Sequence, residues 1–300
     1  MVQETRSLSS LQGYEVLDPQ TRTTRRWRDA KRYLWLLGAV VPGLVGLAWL
    51  LVQLTGSAIF WWVGPMMAFI VIPIVDQLIG TDDGYLTGNA LAHLETDPFY
   101  RWANYLYLPG QYLSLIFACW LWAGGGWVTM TLPDKLGLMF TVGIVGGIAI
   151  NAAHELGHRR DTLERRLSKI ALAQTGYGHF FVEHNRGHHV RVATPDDPAS
   201  ARFGESIYRF IPRSVLGGLR SAWQLETARL AKAGKSKWSP ANDILNAWLL
   251  TAVSFAVLIV WFGAVITPYL LGQAVIGICL LETVNYLEHY GLRRQRVGSG

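Results

Sequence analysis

Histidine is concentrated in one short stretch of this 300-residue sequence. His154, His158, His179, His184, His188 and His189, six of the eight in the chain, fall between Asn151 and His189. Two sit in Asn151-Ala152-Ala153-His154-Glu155-Leu156-Gly157-His158, and three in Val182-Glu183-His184-Asn185-Arg186-Gly187-His188-His189. Residues four apart on an α-helix lie above one another on one face. His154/His158 and His184/His188 are each expected to form a two-imidazole claw, with His189 turned about 100° from His188. Neutral imidazole binds zinc, iron, copper and nickel. With His289 the clustered set reaches six, which overfills a mononuclear zinc site and suits a pair of metals.

Other groups are weaker by spacing. His179 precedes His184 by five residues, off the shared face, and is expected to support the site rather than to ligate. His93 stands alone and is not counted as a ligand. Glu282, Asn285 and His289 share one helical face at i, i+3 and i+7. Glu155, Glu183 and Glu288 each adjoin a candidate ligand, as acceptors for imidazole N–H groups or as direct oxygen ligands, and Arg186 is a candidate partner for such carboxylates. His154-Glu155-Leu156-Gly157-His158 also fits the H-E-x-x-H pattern of zinc metalloproteases, in which glutamate is the general base.

The elements that must position these residues are apolar. Hydrophobic residues make up 51% of the sequence, with 13 Trp, and the mean hydropathy is +0.22. Long apolar runs explain these values better than one large soluble core would. Six runs are expected to cross a membrane as helices, at about 34–54, 58–79, 105–122, 136–153, 244–262 and 265–286. The expected class is therefore an all-α polytopic membrane protein with two parts, a polar N-terminal segment 1–33 and a single membrane-embedded catalytic domain 34–300. Asp76 lies near the end of the second run, where its carboxylate is expected to face the bundle or the aqueous boundary. Trp61, Trp62, Phe69 and Trp120 are candidates for lining a substrate channel.

Charge sets the orientation. The net charge is +6, and fifteen basic residues lie in the hydrophilic segment 159–243. With six spans, every Lys and Arg except Lys135 falls on the side that also carries all eight histidines. The positive-inside rule assigns that side to the cytoplasm, so the reading is a multi-pass protein of the inner (plasma) membrane with a cytoplasmic metal site. Its basic face suits anionic lipid headgroups or an acidic protein, and no nucleic-acid partner is assigned. Cys119 and Cys279 lie in apolar runs without a C-x-x-C, which excludes a disulfide framework or a Cys-ligated zinc or Fe–S site. Gly124-Gly125-Gly126 is a helix stop rather than a dinucleotide fingerprint, so electrons must come from another protein.

H-E-L-G-H at 154–158, E-H-N-R-G-H-H at 183–189 and N-Y-L-E-H-Y-G-L at Asn285 to Leu292 resemble the integral-membrane alkane 1-monooxygenases, whose histidine boxes are shared with membrane fatty-acid desaturases and sterol hydroxylases. The resemblance covers nearly the whole chain. It implies His154, His158, His184, His188, His189 and His289 as ligands of two iron ions that activate O2, rubredoxin as electron donor, and terminal hydroxylation of medium- to long-chain n-alkanes. The family's third histidine box has no counterpart in these 300 residues. We therefore expect the sequence to be part of a longer protein and not a competent oxygenase by itself. Acyl desaturation or hydroxylation, zinc intramembrane proteolysis and non-enzymatic metal carriage are the alternatives the residues leave open.

Overall fold

The computed structural model describes residues 14–17, 23–29, 31–80, 94, 97–159 and 161–295. The expectation for His93 and much of the 80–104 loop lies outside them. A short antiparallel hairpin, β1 (Tyr14–Leu17) with β2 (Thr24–Trp27), precedes the helices. The rest is helical: α1 (Arg32–Thr55), α2 (Ala58–Ile79), α3 (Pro98–Trp122), α4 (Leu132–Gly157), α5 (Thr162–Ala173), α6 (180–191), α7 (Ile207–Lys232), α8 (Asp243–Phe262) and α9 (Ala264–His289).

Five of these, α1, α2, α4, α8 and α9, are long and apolar enough to cross a membrane. The sixth expected span, 105–122, lies in α3, which has the length at 25 residues but not the apolarity. On length and composition the described residues therefore give five spans rather than six. Both ends of α3 nevertheless meet both ends of α1. At one end Arg32 pairs with Asp97, the α3 N-cap, at 2.5 Å in a buried bridge. At the other, Trp49 and Gln53 donate to the carbonyl of Gly126, just past α3, at 3.0 and 2.7 Å.

The polar residues of α3 have a structural use. Segment 159–243 reads as the one large hydrophilic segment of the chain, with mixed apolar and basic positions over Ile207 to Leu230, but α5 turns back into the bundle, and Ala171, Leu172, Gln174 and Thr175 are buried. A helix end buried in a membrane protein leaves carbonyls that other protein groups must satisfy. Tyr112 donates to the carbonyl of Ile170 at 2.6 Å and Gln111 to that of Ala171 at 3.0 Å, both from α3. Gln273 of α9 donates to the carbonyl of Gln174 at 2.8 Å. The polarity that lowers the hydropathy of α3 is what lets the chain re-enter and return towards the histidines.

The bundle axis is α4 against α9, the most extensive helix pair. Glycines let the two backbones approach: a Cβ on Gly143 would lie 2.5 Å from Ile276 Cγ2, and one on Gly147 2.7 Å from Leu280 Cδ2. α4 starts from a capping box, Thr131 with Asp134, and its last turns carry His154 and His158. A rigid, deeply packed helix thus holds the first histidine pair at the mouth of the bundle.

Candidate metal centre

The first pair behaves as its spacing predicts. His154 lies in the last turn of α4 and His158 caps it with helical backbone angles, their ring centroids 4.5 Å apart. The second box does not. Residues His184–His188 form a single π turn between the α-helical Phe180–Glu183 and His189–Arg191. A π turn closes i to i+5 hydrogen bonds, so the side chain in line with His184 is His189 rather than His188. Their Nε2 atoms are 2.9 Å apart, and His189 Nε2 is 3.2 Å from His158 Nε2. The expected His184/His188 claw is replaced by a His184/His189 claw.

Among the described residues, His154, His158, His184 and His189 bring one ring nitrogen each within 4.8 Å of the others. That geometry fits a cation. One N–H can bridge His189 Nε2 to one neighbour only, which leaves the next nitrogen facing a lone pair. Burial and then the neighbouring imidazoles push His158, His184 and His189 below the ordinary imidazole range, which favours the neutral, metal-binding form. A metal ion at the convergence would satisfy the four lone pairs together, and nitrogen donors of this kind suit iron.

His188 and His289 form a second pair beside the first group, rings 4.8 Å apart. Each has its Nδ1 occupied by an acceptor that leaves Nε2 available. His188 Nδ1 is 2.9 Å from Asp197 Oδ2, and His289 Nδ1 is 2.9 Å from the carbonyl of Asn285. Burial would push the Asp197 carboxyl up, but hydrogen bonds from His188 and Ser200 hold it below the usual range. Asp197 lies in Thr194-Pro195-Asp196-Asp197-Pro198, which sequence patterning reads only as a turn. Nothing local marks it as the partner of a histidine nine residues back.

The remaining candidates divide by position. Glu183 is buried, accepts from Arg191 at 2.7 Å, and is raised by burial. Gly187 is the point where this pair crosses the box, since a Cβ there would lie 2.5 Å from both Glu183 Oε1 and Arg191 Nη2. Glu282 is buried and accepts from Tyr177 Oη at 2.7 Å and Asn285 Nδ2 at 3.4 Å. His179 is buried beside Tyr177, and a small cavity of about 20 Å³, lined by apolar groups such as Phe180 and Pro198 as well as by His179, Glu183 and Glu282, borders His184 and His188. Glu155 is exposed, 3.4 Å from His154 Nδ1. Glu288 and Asp76 are exposed and bond to no histidine among the described residues. Trp61 is buried in the bundle core, Trp62 stacks on Phe140, Phe69 is 61% exposed and Trp120 is 37% exposed.

Arg186 pairs with none of the carboxylates expected for it. It reaches the fully buried Glu226 of α7 at 2.5 Å and Asp243 at the start of α8 at 2.8 Å. Burial would raise Glu226, but Arg229, the Asp243 N–H and Arg186 hold it low. Arg191 similarly reaches Ser221 of α7. Through these two clamps α7 fixes the second box from outside the bundle. The acids concerned lie at least 35 residues beyond the box in sequence, so no spacing rule finds them.

The fatty acid desaturase family model matches residues 134–299. The chain is 41% identical over 293 residues to the alkane 1-monooxygenase of Acinetobacter baylyi, covering 96% of this chain and 71% of that protein. It is 39% identical over 290 residues to the alkane 1-monooxygenase of Ectopseudomonas oleovorans, covering 97% and 71%. The xylene/toluene monooxygenase hydroxylase component of Pseudomonas putida is 24% identical over 273 residues, covering 89% and 68%. The matches to both alkane 1-monooxygenases run through the helical bundle and both histidine boxes, and the chain belongs to the alkane 1-monooxygenase family of histidine-box membrane enzymes.

Proposed function

We propose that the protein hydroxylates the terminal carbon of medium- to long-chain n-alkanes, using O2 and electrons from rubredoxin, at a centre of two irons. The observation that carries this reading is the convergence of four neutral imidazoles at the mouth of an apolar bundle, in a chain 41% identical to an alkane 1-monooxygenase. His154, His158, His184 and His189 would hold one iron, and His188 and His289 would contribute to the second. When bound, iron supplies O2 binding and the one-electron chemistry that C–H oxidation requires.

The residues of the chain hold and orient the rest. Asp197 and the Asn285 carbonyl fix the tautomers of His188 and His289, and Arg186 and Arg191 fasten the second box to α7. An alkane enters from the bilayer, because apolar carbon is stabilised there and not in water. The carbonyl of Trp61 accepts from Thr141 Oγ1. Thr141 precedes His154 by 13 residues on α4, so Trp61 lies roughly 20 Å below the imidazoles at 1.5 Å per residue. In this reading Trp61 and Trp62 limit chain length, whereas Phe69 and Trp120 face lipid. Trp61→Ala should extend the product range to longer alkanols, and Phe69→Ala should leave it unchanged.

The side carrying the histidines faces the cytoplasm of a plasma-membrane protein, with α3 as a sixth crossing, an assignment supported by its end contacts with α1 and by the distribution of Lys and Arg. Exposed cations on that face attract an acidic electron carrier, so reduction by rubredoxin should slow as ionic strength rises.

The test is product and metal analysis. Membranes containing the full-length protein, supplied with reduced rubredoxin, labelled O2 and C8 to C16 alkanes, should yield 1-alkanols carrying the label, with two irons per chain. A double bond introduced into an acyl chain would instead support the second reading, desaturation, which the desaturase family model over 134–299 favours. One zinc per chain would sink both.

A further inference from the structure

The outer side of α7 and the first turns of α8 form a groove of about 480 Å³ that takes no part in the metal site. Its apolar wall is Leu219 and Trp223 of α7, Trp238 of the connecting turn, and Leu245 and Trp248 of α8. Trp223 and Trp238 meet with ring centroids 5.5 Å apart, and Trp238 is 65% exposed. Because α8 begins at Asp243 and crosses the membrane, Leu245 and Trp248 lie within its first two turns, at headgroup depth. Tryptophan is enriched at that depth, with its ring apolar and its N–H wet.

The rim of the groove is cationic and uncompensated. Arg220 lines it, is exposed, and has no ion-pair or hydrogen-bond partner among the described residues. Lys237 Nζ lies 5.6 Å over the Trp238 ring, which lines the groove. The nearby acids are already engaged on the inner side: Glu226 by Arg186 and Arg229, Asp243 by Lys169 and Arg186. A purely apolar occupant would use the indoles and leave the cations idle. A zwitterionic lipid would bring its own cation to a positive rim. We infer that the groove is a binding site for an anionic phospholipid, with an acyl chain along Trp223 and Trp248 and the phosphate at Arg220 and Lys237. The same helix carries Ser221 and Glu226 on its inner side, so the bound lipid braces the element that clamps the second histidine box.

The test uses the purified protein in phosphatidylcholine nanodiscs doped with acyl-brominated phosphatidylglycerol or, separately, acyl-brominated phosphatidylcholine. Each basic residue near an anionic surface contributes about a factor of five, so two cations should give roughly a tenfold or greater preference for phosphatidylglycerol in quenching tryptophan fluorescence. Trp238→Phe identifies the component of the signal that belongs to the groove. The double variant R220Q/K237Q, checked for fold by circular dichroism, should lose the preference while both lipids still quench. Inorganic phosphate at high concentration should not displace the brominated lipid, since it lacks the acyl chain. Equal quenching by the two lipids in the wild type, an unchanged preference in the double variant, or displacement by phosphate or by hexadecane would each overturn the assignment.

Discussion

In the first histidine box, His154 and His158 are four residues apart across the last turn and C-cap of α4, and their rings lie 4.5 Å apart. In the second, His184 and His189 are five residues apart on a π turn, and their Nε2 atoms lie 2.9 Å apart. The first box is mounted on a helix packed along its length against α9. The second is a short helical segment held from outside by side-chain clamps to α7. A regular helix needs only its own hydrogen bonds to place i and i+4 together. A π turn loses that periodicity and persists where tertiary contacts hold it, here Glu183–Arg191–Ser221 and Arg186–Glu226. The consequence is a division of labour: His189 joins the four-imidazole group, and His188 is released towards Asp197 and His289.

Exchanging the roles of His188 and His189 is the strongest way to break this comparison. His189→Ala should remove the metal held by the four-imidazole group and lower alkanol formation by about 100-fold or more, beyond the 10- to 100-fold seen for loss of a ligand's supporting partner. His188→Ala should leave that metal in place and deplete only the second. Metal content per chain, measured with activity, separates the two. If His188→Ala emptied the four-imidazole group and His189→Ala spared it, the second box would be α-helical in solution.

Next in size is Asp197→Asn. It keeps the shape but exchanges an anionic acceptor for an amide, and metal affinity at the His188/His289 pair should fall 10- to 100-fold. Competition with a chelator measures it, and the four-imidazole metal should be unaffected.

His179 shows a histidine of the same stretch that the π turn leaves behind. Burial lowers it to about 4. Because its folded value lies below the ordinary 6.5, the unfolded chain binds the extra proton more readily. Its contribution is fully present above about pH 6.5 and is lost as pH falls towards 4, by up to about 3 kcal/mol. Thermal unfolding of the metal-free protein at pH 7 and pH 5 should show this loss, and His179→Gln should reduce it.

The smallest effect is expected at Glu155. As the general base of an H-E-x-x-H protease it would be indispensable, yet it is exposed and touches only the Nδ1 edge of His154. An exposed carboxylate that contacts no imidazole Nε2 contributes little to transition-state stabilisation, so Glu155→Gln should alter alkanol formation by about twofold or less. A hundredfold loss would reinstate a role for that carboxylate in the chemistry.

By itself the sequence determined the membrane class, the apolar helices and the identity of the histidines that gather. Hydrophobic run length is a local property set by the thickness of the bilayer. His154 and His158 were equally legible, because α-helical periodicity is local too. The tertiary structure decided what depends on long-range contact. Tyr112, Gln111 and Gln273 satisfy the carbonyls of a chain that re-enters the bundle, so α3 is too polar to pass as a span by composition. Asp197 orients His188 across a turn whose Pro and Asp residues read only as loop signals. Above all, one π turn held by clamps to α7 chose His189 over His188. Local propensity has no term for a side chain on another helix, and that is where the second half of the metal centre was settled.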